Sequence, residues 1–244
     1  MRNIISPILF CSFLFCYCQV RNPARPDPAV VVVELFTSEG CSSCPPAESL
    51  VAEVSKKYRD GLILLSYHVD YWNYLGWKDT FSKALFSERQ KKYADFLGRT
   101  DIYTPQVIVN GESEMVGSDK EKLLKTIDED LKKKPTEHIS LTARLQGTQV
   151  IIHCQHSLLK NCLIQLSLIQ KKARTYVLKG ENGGRFLDHL NIVRSVKNLD
   201  PADAGGSIAM DLPEGLNGSD ICLIAFAQDR KSNHILAAAK AEIE

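Results

Sequence analysis

The chain runs to 244 residues, 44% of them hydrophobic and 24% charged, with a formal net charge of +1. That length suits two small domains or one large one. Charge so near balance, with the lysines spread along the chain, argues against a nucleic-acid partner.

The N-terminus reads as an export signal over residues 1–24. Arg2 supplies a positive charge, Ile4 to Tyr17 is almost wholly apolar, and a polar, proline-bearing stretch follows to Asp27. The apolar run falls short of the roughly 20 residues a spanning helix needs. Phe15, Cys16 and Tyr17 stand where a small-residue cleavage pattern would be, so plain cleavage, lipidation at Cys16 or Cys18 and an uncleaved anchor all stay open. Export, to the periplasm or outside the cell, places the chain where a disulfide persists. Of the 8 cysteines, Cys11, Cys16 and Cys18 lie in this leader, Cys41 and Cys44 form a CxxC pair, and Cys154, Cys162 and Cys222 remain.

Val30 to Phe36 is a continuous β-branched and aromatic run, the signature of a strand buried on both faces. Thr37-Ser38-Glu39-Gly40 breaks it and the cysteines follow at once. Pro45 and Pro46 cost little in a first helical turn, whose N–H groups lack intrahelical partners, and helical periodicity then runs to Tyr58. A thiol at a helix N-terminus faces unpaired N–H groups and the positive end of the helix dipole, which stabilises its thiolate. Cys41 is thus the expected nucleophile, and Cys44, one turn on, resolves a mixed disulfide by attacking Cys41. Two other readings of the pair are a structural disulfide and half a zinc site, which needs two further ligands. Cys154 and Cys162 are spaced too widely to be the usual second pair. They read as buried thiols, or as a cross-strand disulfide.

Gly61 to Asp70 is a second central strand, making a parallel βαβ unit. It ends in His68, Asp70, Tyr71 and Trp72, at the sheet edge where α/β proteins place their sites. His68 either tunes the thiolate, binds metal with the cysteines, or is simply packed and hydrogen-bonded. Tyr71, Trp72, Tyr74 and Trp77 either line a peptide-binding face or cap the sheet. A helix is predicted over Thr80–Gly98, capped by Asp79 or Thr80. The next strand starts at Pro105, turns at Asn110-Gly111 and returns over Glu114–Val116. Gly117-Ser118-Asp119 then caps a helix over Lys120–Lys133.

This order resembles the thioredoxin fold, with Cys41-Ser42-Ser43-Cys44 in the place of the redox motif. The resemblance puts Thr104-Pro105 in the place of the cis-proline that faces that motif and keeps it accessible to a bound peptide. More narrowly, Glu34 to Ala47, His68-Val69-Asp70-Tyr71-Trp72 and Tyr103-Thr104-Pro105-Gln106 are similar to a family of exported bacterial proteins catalogued as a domain of unknown function, number 1223. The chain departs from thioredoxins in lacking a Trp before Cys41 and in its double proline after Cys44. Glu34 lies near the place of the thioredoxin carboxylate that takes the second cysteine's proton. It is one residue further from Cys41, however, which in a strand reverses the face. It is therefore either a proton acceptor or an ion-pair or solvent-facing acid.

Lys132 to Glu137, a charge run ending around Pro135, marks a boundary between a thioredoxin-like domain (28–134) and a second domain (138–244). Behind it His138–Leu145, Gln149–His156, Cys162–Lys171, Thr175–Leu178, Ile221–Gln228 and Ile235–Ala241 read as at least six short strands and predict an antiparallel β-sandwich of the immunoglobulin-like sort. Within it, Lys179 to Arg194 is again similar to the family. Glu181, Arg185, His189 and Arg194 there form either a polar cluster docking the two domains or a ligand or partner site. The function expected is an exported thiol–disulfide oxidoreductase working on protein thiols and disulfides or a redox partner protein. It needs no cofactor, and no metal is assigned. The alternative is a binding module whose CxxC is structural or carries copper or zinc, without turnover.

Overall fold

A computed structural model describes residues 29–244 except 136, 158 and 159. The expected leader, with Cys16 and Cys18, lies outside the described residues. None of the described helices is long and apolar enough to cross a membrane.

Strand β1 (Val31–Thr37) is buried along its whole length, as its apolar run predicts. It leads through the cysteine loop into helix α1 (Cys44–Tyr58), whose first turn holds the prolines. Strand β2 (Leu62–His68), equally buried, lies parallel to β1, with Val31 opposite Leu62 and Thr37 opposite His68. Helix α2 (Ala84–Phe96) follows. It starts four residues later than Thr80, because Asp79 does not cap it. The Asp79 side chain instead accepts from the backbone N–H groups of Glu39 and Phe81 and contacts His68.

Strands β3 (Gln106–Val109) and β4 (Ser113–Val116) form the expected hairpin, with Asn110 and Gly111 at φ 48° and 77°. The pair of positive φ angles is what an Asn-Gly turn supplies. A side chain at Gly111 would strike the Asn233 carbonyl, 2.0 Å from an ideal Cβ. Helix α3 (Lys120–Asp130) is capped by Asp119, which accepts from the Lys122 N–H at 3.0 Å. The apolar sides of α1 and α3 (Val51, Val54, Leu123, Ile127) cover Val31, Val33 and Leu35 on one face of the sheet. Phe86 and Tyr93 of α2 cover Val32, Phe36 and Tyr67 on the other.

Behind the expected boundary the described residues form seven strands: β5 (Ile139–Gln146), β6 (Gln149–His156), β7 (Cys162–Val177), β8 (Arg185–Leu199), β9 (Ser207–Asp211), β10 (Ile221–Asp229) and β11 (Ile235–Glu242). Two of the segments expected separately, Cys162–Lys171 and Thr175–Leu178, are one long strand, β7, with an irregularity at Leu168/Ile169. Strands β5, β6 and β9 form a three-stranded sheet packed over β7 and β10 around Val150, Ile152, Ile164, Leu166 and Leu223. Cys154 and Cys162 are both buried in this core as free thiols.

The second sheet does not stop at the boundary. Its eight strands run β11-β10-β7-β8-β2-β1-β3-β4, with β8 alongside β2 in parallel through Ser66 and Ile192. The Ser66 hydroxyl adds a hydrogen bond to the Leu190 carbonyl at 2.8 Å. The two halves therefore share one sheet, and Ile169, Val193, Ile224 and Phe226 join the core beneath α2.

Candidate functional site

Cys41 sits in the loop just before α1, and Cys44 is the helix's first residue, its N–H bonded to the Cys41 carbonyl at 3.2 Å. The Cys41 sulfur lies 3.2 Å from the Ser43 hydroxyl and 3.7 Å from the Thr104 carbonyl. The Thr104–Pro105 peptide is cis, and Pro105 is buried. A hydrogen bond from the Cys44 thiol, resisted by burial and helped by Ser43 and Thr104, lowers the Cys41 pKa to about 6. Burial and the neighbouring Cys41 sulfur push Cys44 the other way, well above the usual thiol range. The pair is thus divided into one stabilised thiolate and one thiol that keeps its proton.

Trp72 braces this arrangement from the aromatic loop. Its indole N–H donates to the Thr104 hydroxyl at 2.8 Å. The Gly40 backbone runs so close that an added Cβ would lie 3.0 Å from the Trp72 Cβ. Trp77 donates to Glu39 at 2.7 Å, so both tryptophans hold the loop in place, while Tyr74 is exposed.

A turn from the second half covers the cysteines. The Asn182 amide donates to the carbonyls of Glu39 (3.0 Å) and Cys41 (2.9 Å). Glu181 accepts from the Ser42 N–H at 2.9 Å, and Arg185 holds the Asn182 side-chain oxygen at 2.8 Å. Under this turn Cys41 is only 1% exposed and Cys44 not at all.

Behind the pair lies a buried cluster. His68 Nδ1 is 2.7 Å from Asp79, and its ring meets that of His189 edge to face at 4.9 Å between centroids. His189 sits between two carboxylates, with Nδ1 2.7 Å from Glu48 and Nε2 3.4 Å from Glu39. Burial works against its charge, but these carboxylates raise its pKa to about 10. Burial likewise opposes the Asp79 charge, and His68 with two backbone N–H groups outweighs it, leaving the carboxyl pKa lowered. The second oxygen of Glu48 accepts from the Thr37 hydroxyl at 2.6 Å.

His68 and His189 thus meet although they stand 121 positions apart (189 − 68). The possible metal-binding group among the described residues is Glu48, His68 and His189, and it includes neither cysteine. Of the readings open for His68, grouping with Cys41 and Cys44 is not what the structure has: His68 is packed and hydrogen-bonded, turned to Asp79 and His189. Of the readings open for Glu34, the structure has the ion pair. Its carboxylate is engaged by Arg89 at 2.5 and 2.9 Å and by the Tyr93 hydroxyl, beneath α2. The one-residue offset did put it on the face opposite α1, so it is an ion-pair partner and not a proton acceptor for Cys44.

Asp70 accepts from the Ser87 hydroxyl at 2.5 Å, tying its loop to α2. Arg194 lies over the Phe81 ring at 5.4 Å and bonds Gln170. Glu181, Arg185, His189 and Arg194 all serve the contact between the halves, Arg194 away from the cysteines, through Phe81 and, by its carbonyl, Lys83. Sequence reasoning passed over Glu39, Glu48 and Asn182 as site residues and took Asp79 only as a helix cap. Glu48 had a signal: it is four residues after Cys44, on the same face of α1.

The structure is similar to the crystal structure of an Agrobacterium tumefaciens protein solved by structural genomics. The identity is 27% and the TM-score 0.65, over 88% of this chain and 95% of that one. It is also similar in fold to HBP35 of Porphyromonas gingivalis, at 17% identity and TM-score 0.63, over 88% of this chain and 76% of that one. No curated protein matches the chain. The model of a family described as protein of unknown function (DUF1223) matches residues 32–228, and the chain belongs to that family.

Proposed function

We propose that the chain is an exported thiol–disulfide oxidoreductase with a thioredoxin-like first half and an immunoglobulin-like sandwich as its second. The sheet order β2-β1-β3-β4 flanked by α1, α3 and α2 supports the first assignment, and the count of four plus three strands the second. The observation that carries the reading is the Cys41 sulfur, at the start of α1 and 3.7 Å from the Thr104 carbonyl, with Cys44 buried behind it. In the reduced form, the Cys41 thiolate attacks one sulfur of a substrate disulfide. That S–S bond breaks, the far sulfur leaves and takes up a proton, and a mixed disulfide remains. Cys44 then loses its proton and attacks Cys41, expelling the second substrate thiol and leaving Cys41–Cys44 oxidised, two electrons having passed to the substrate. A thiol or redox partner protein resets the pair.

The 1% exposure of Cys41 favours a second reading, a binding module whose cysteines never turn over. One experiment separates the two. Reduced Cys44→Ser is mixed with a small disulfide such as oxidised glutathione, and adducts are read by mass. The oxidoreductase accumulates a mixed disulfide at Cys41, and Cys41→Ser gives none. A native chain whose Cys41 stays unmodified, while the denatured chain reacts, establishes the binding module.

A further inference from the structure

The cluster behind the cysteines has the construction of a metal site. We propose that Glu48, His68 and His189 bind one divalent transition-metal ion of the zinc type, at a centre separate from the CxxC pair. The three residues offer ligand atoms that all lie within 4.8 Å of one another. Each candidate ligand is also held from outside. His68 is fixed through Nδ1 by Asp79 at 2.7 Å, which leaves Nε2 to face inward. Glu48 is fixed through one oxygen by Thr37 at 2.6 Å, which leaves the other against His189 Nδ1 at 2.7 Å. His189 Nε2 faces Glu39 Oε1 at 3.4 Å. A carboxylate behind each imidazole is the usual outer support of a metal-bound histidine.

Unmet bonding capacity points the same way. Among the described residues, His68 Nε2 is buried without a hydrogen-bond partner, and His189 Nε2 and Glu39 Oε1 have only each other, 3.4 Å apart. Polar atoms buried without a partner are rare in folded proteins and ask for an explanation. Charge supplies a second argument. Glu39, Glu48 and Asp79 bring three carboxylates against two imidazoles, with side-chain exposures of 0% for Glu39, 11% for Glu48, 1% for Asp79, 0% for His68 and 1% for His189. A buried excess of negative charge is costly unless a cation accompanies it. The ion takes the place of the proton shared by Glu48 and His189. Tetrahedral zinc ligands stand about 3.3 Å apart, so that contact opens by roughly half an ångström. Two imidazoles and a carboxylate are a borderline donor set suited to zinc, with a fourth position left over. The inference stands whether or not the cysteines turn over.

The test uses the chain stripped of metal by a chelator, as wild type and as Cys41→Ser/Cys44→Ser. Zn²⁺ binding is followed by calorimetry and Co²⁺ binding by visible absorption. Both proteins are expected to take one ion, with tetrahedral cobalt bands, no sulfur-to-cobalt charge-transfer band and a raised melting temperature. Glu48→Gln, at the most exposed ligand, is expected to bind at least about 10-fold more weakly, with circular dichroism of the metal-free chain showing that it still folds. Asp79→Asn, which acts through His68, is expected to weaken binding about 10- to 100-fold. A wild-type chain that takes up no ion, binding lost in the double cysteine variant, or binding untouched by Glu48→Gln each overturns the proposal. The first of these outcomes does not depend on any variant folding.

Discussion

Two buried charged networks lie on opposite faces of the sheet, and they are built differently. Under α2, Glu34 is gripped by both arms of Arg89 and by the Tyr93 hydroxyl, while Gln228 and Gln165 complete the shell. That network is closed. On the α1 face, the buried His68 keeps a bare Nε2, and the buried His189 Nε2 and Glu39 Oε1 meet only each other, at 3.4 Å. The contrast teaches how to tell structure from site: a charge buried for stability finds its full set of partners, whereas a functional cluster leaves capacity unused.

Breaking the closed network has the largest expected effect. Arg89→Met strands a carboxylate that is 0% exposed and should cost about 3–5 kcal/mol of unfolding free energy, measured by urea titration. Cys41 alkylation in the protein that still folds should not change, since Glu34 has no part in the sulfur chemistry. A matching fall in Cys41 reactivity would join the two networks and erase the distinction.

Loosening the cover over the other face is a smaller perturbation. Asn182→Ala removes both bonds from the amide to the Glu39 and Cys41 carbonyls. Losing about 1–2 kcal/mol of closure should speed alkylation of native Cys41 roughly 5- to 30-fold. An unchanged rate would mean that the thiol is reached by another path. Smallest is Trp72→Phe, which deletes the single bond to Thr104 and should lower stability by about 1 kcal/mol in the same urea titration, with Cys41 remaining the reactive sulfur.

The first half of the chain was legible because its signals are local. The Val30–Phe36 run, the prolines after Cys44, the Asn110-Gly111 turn and the Asp119 cap each determine structure within a few residues. Strand β8 was not legible. A histidine, His189, occupies one of its buried positions, and burial along it does not alternate. Its neighbour β2 lies more than a hundred residues earlier, and no window of sequence contains both. The same distance hid the site. His68 and His189 each drew notice alone, but their meeting depends on that pairing. Asp79 read as a helix cap because an acid ahead of an apolar period usually is one.

The Ser66–Ile192 pairing has a consequence for anyone who wishes to work with the cysteine-bearing portion by itself. Ending the gene product near residue 134 would strip β8 away from β2 and bare the outer rim of a strand whose seven residues are all buried in the intact molecule. Such a rim is a template for sticking to another chain. The fragment should therefore precipitate or pair with itself, and the natural unit of study is the undivided polypeptide.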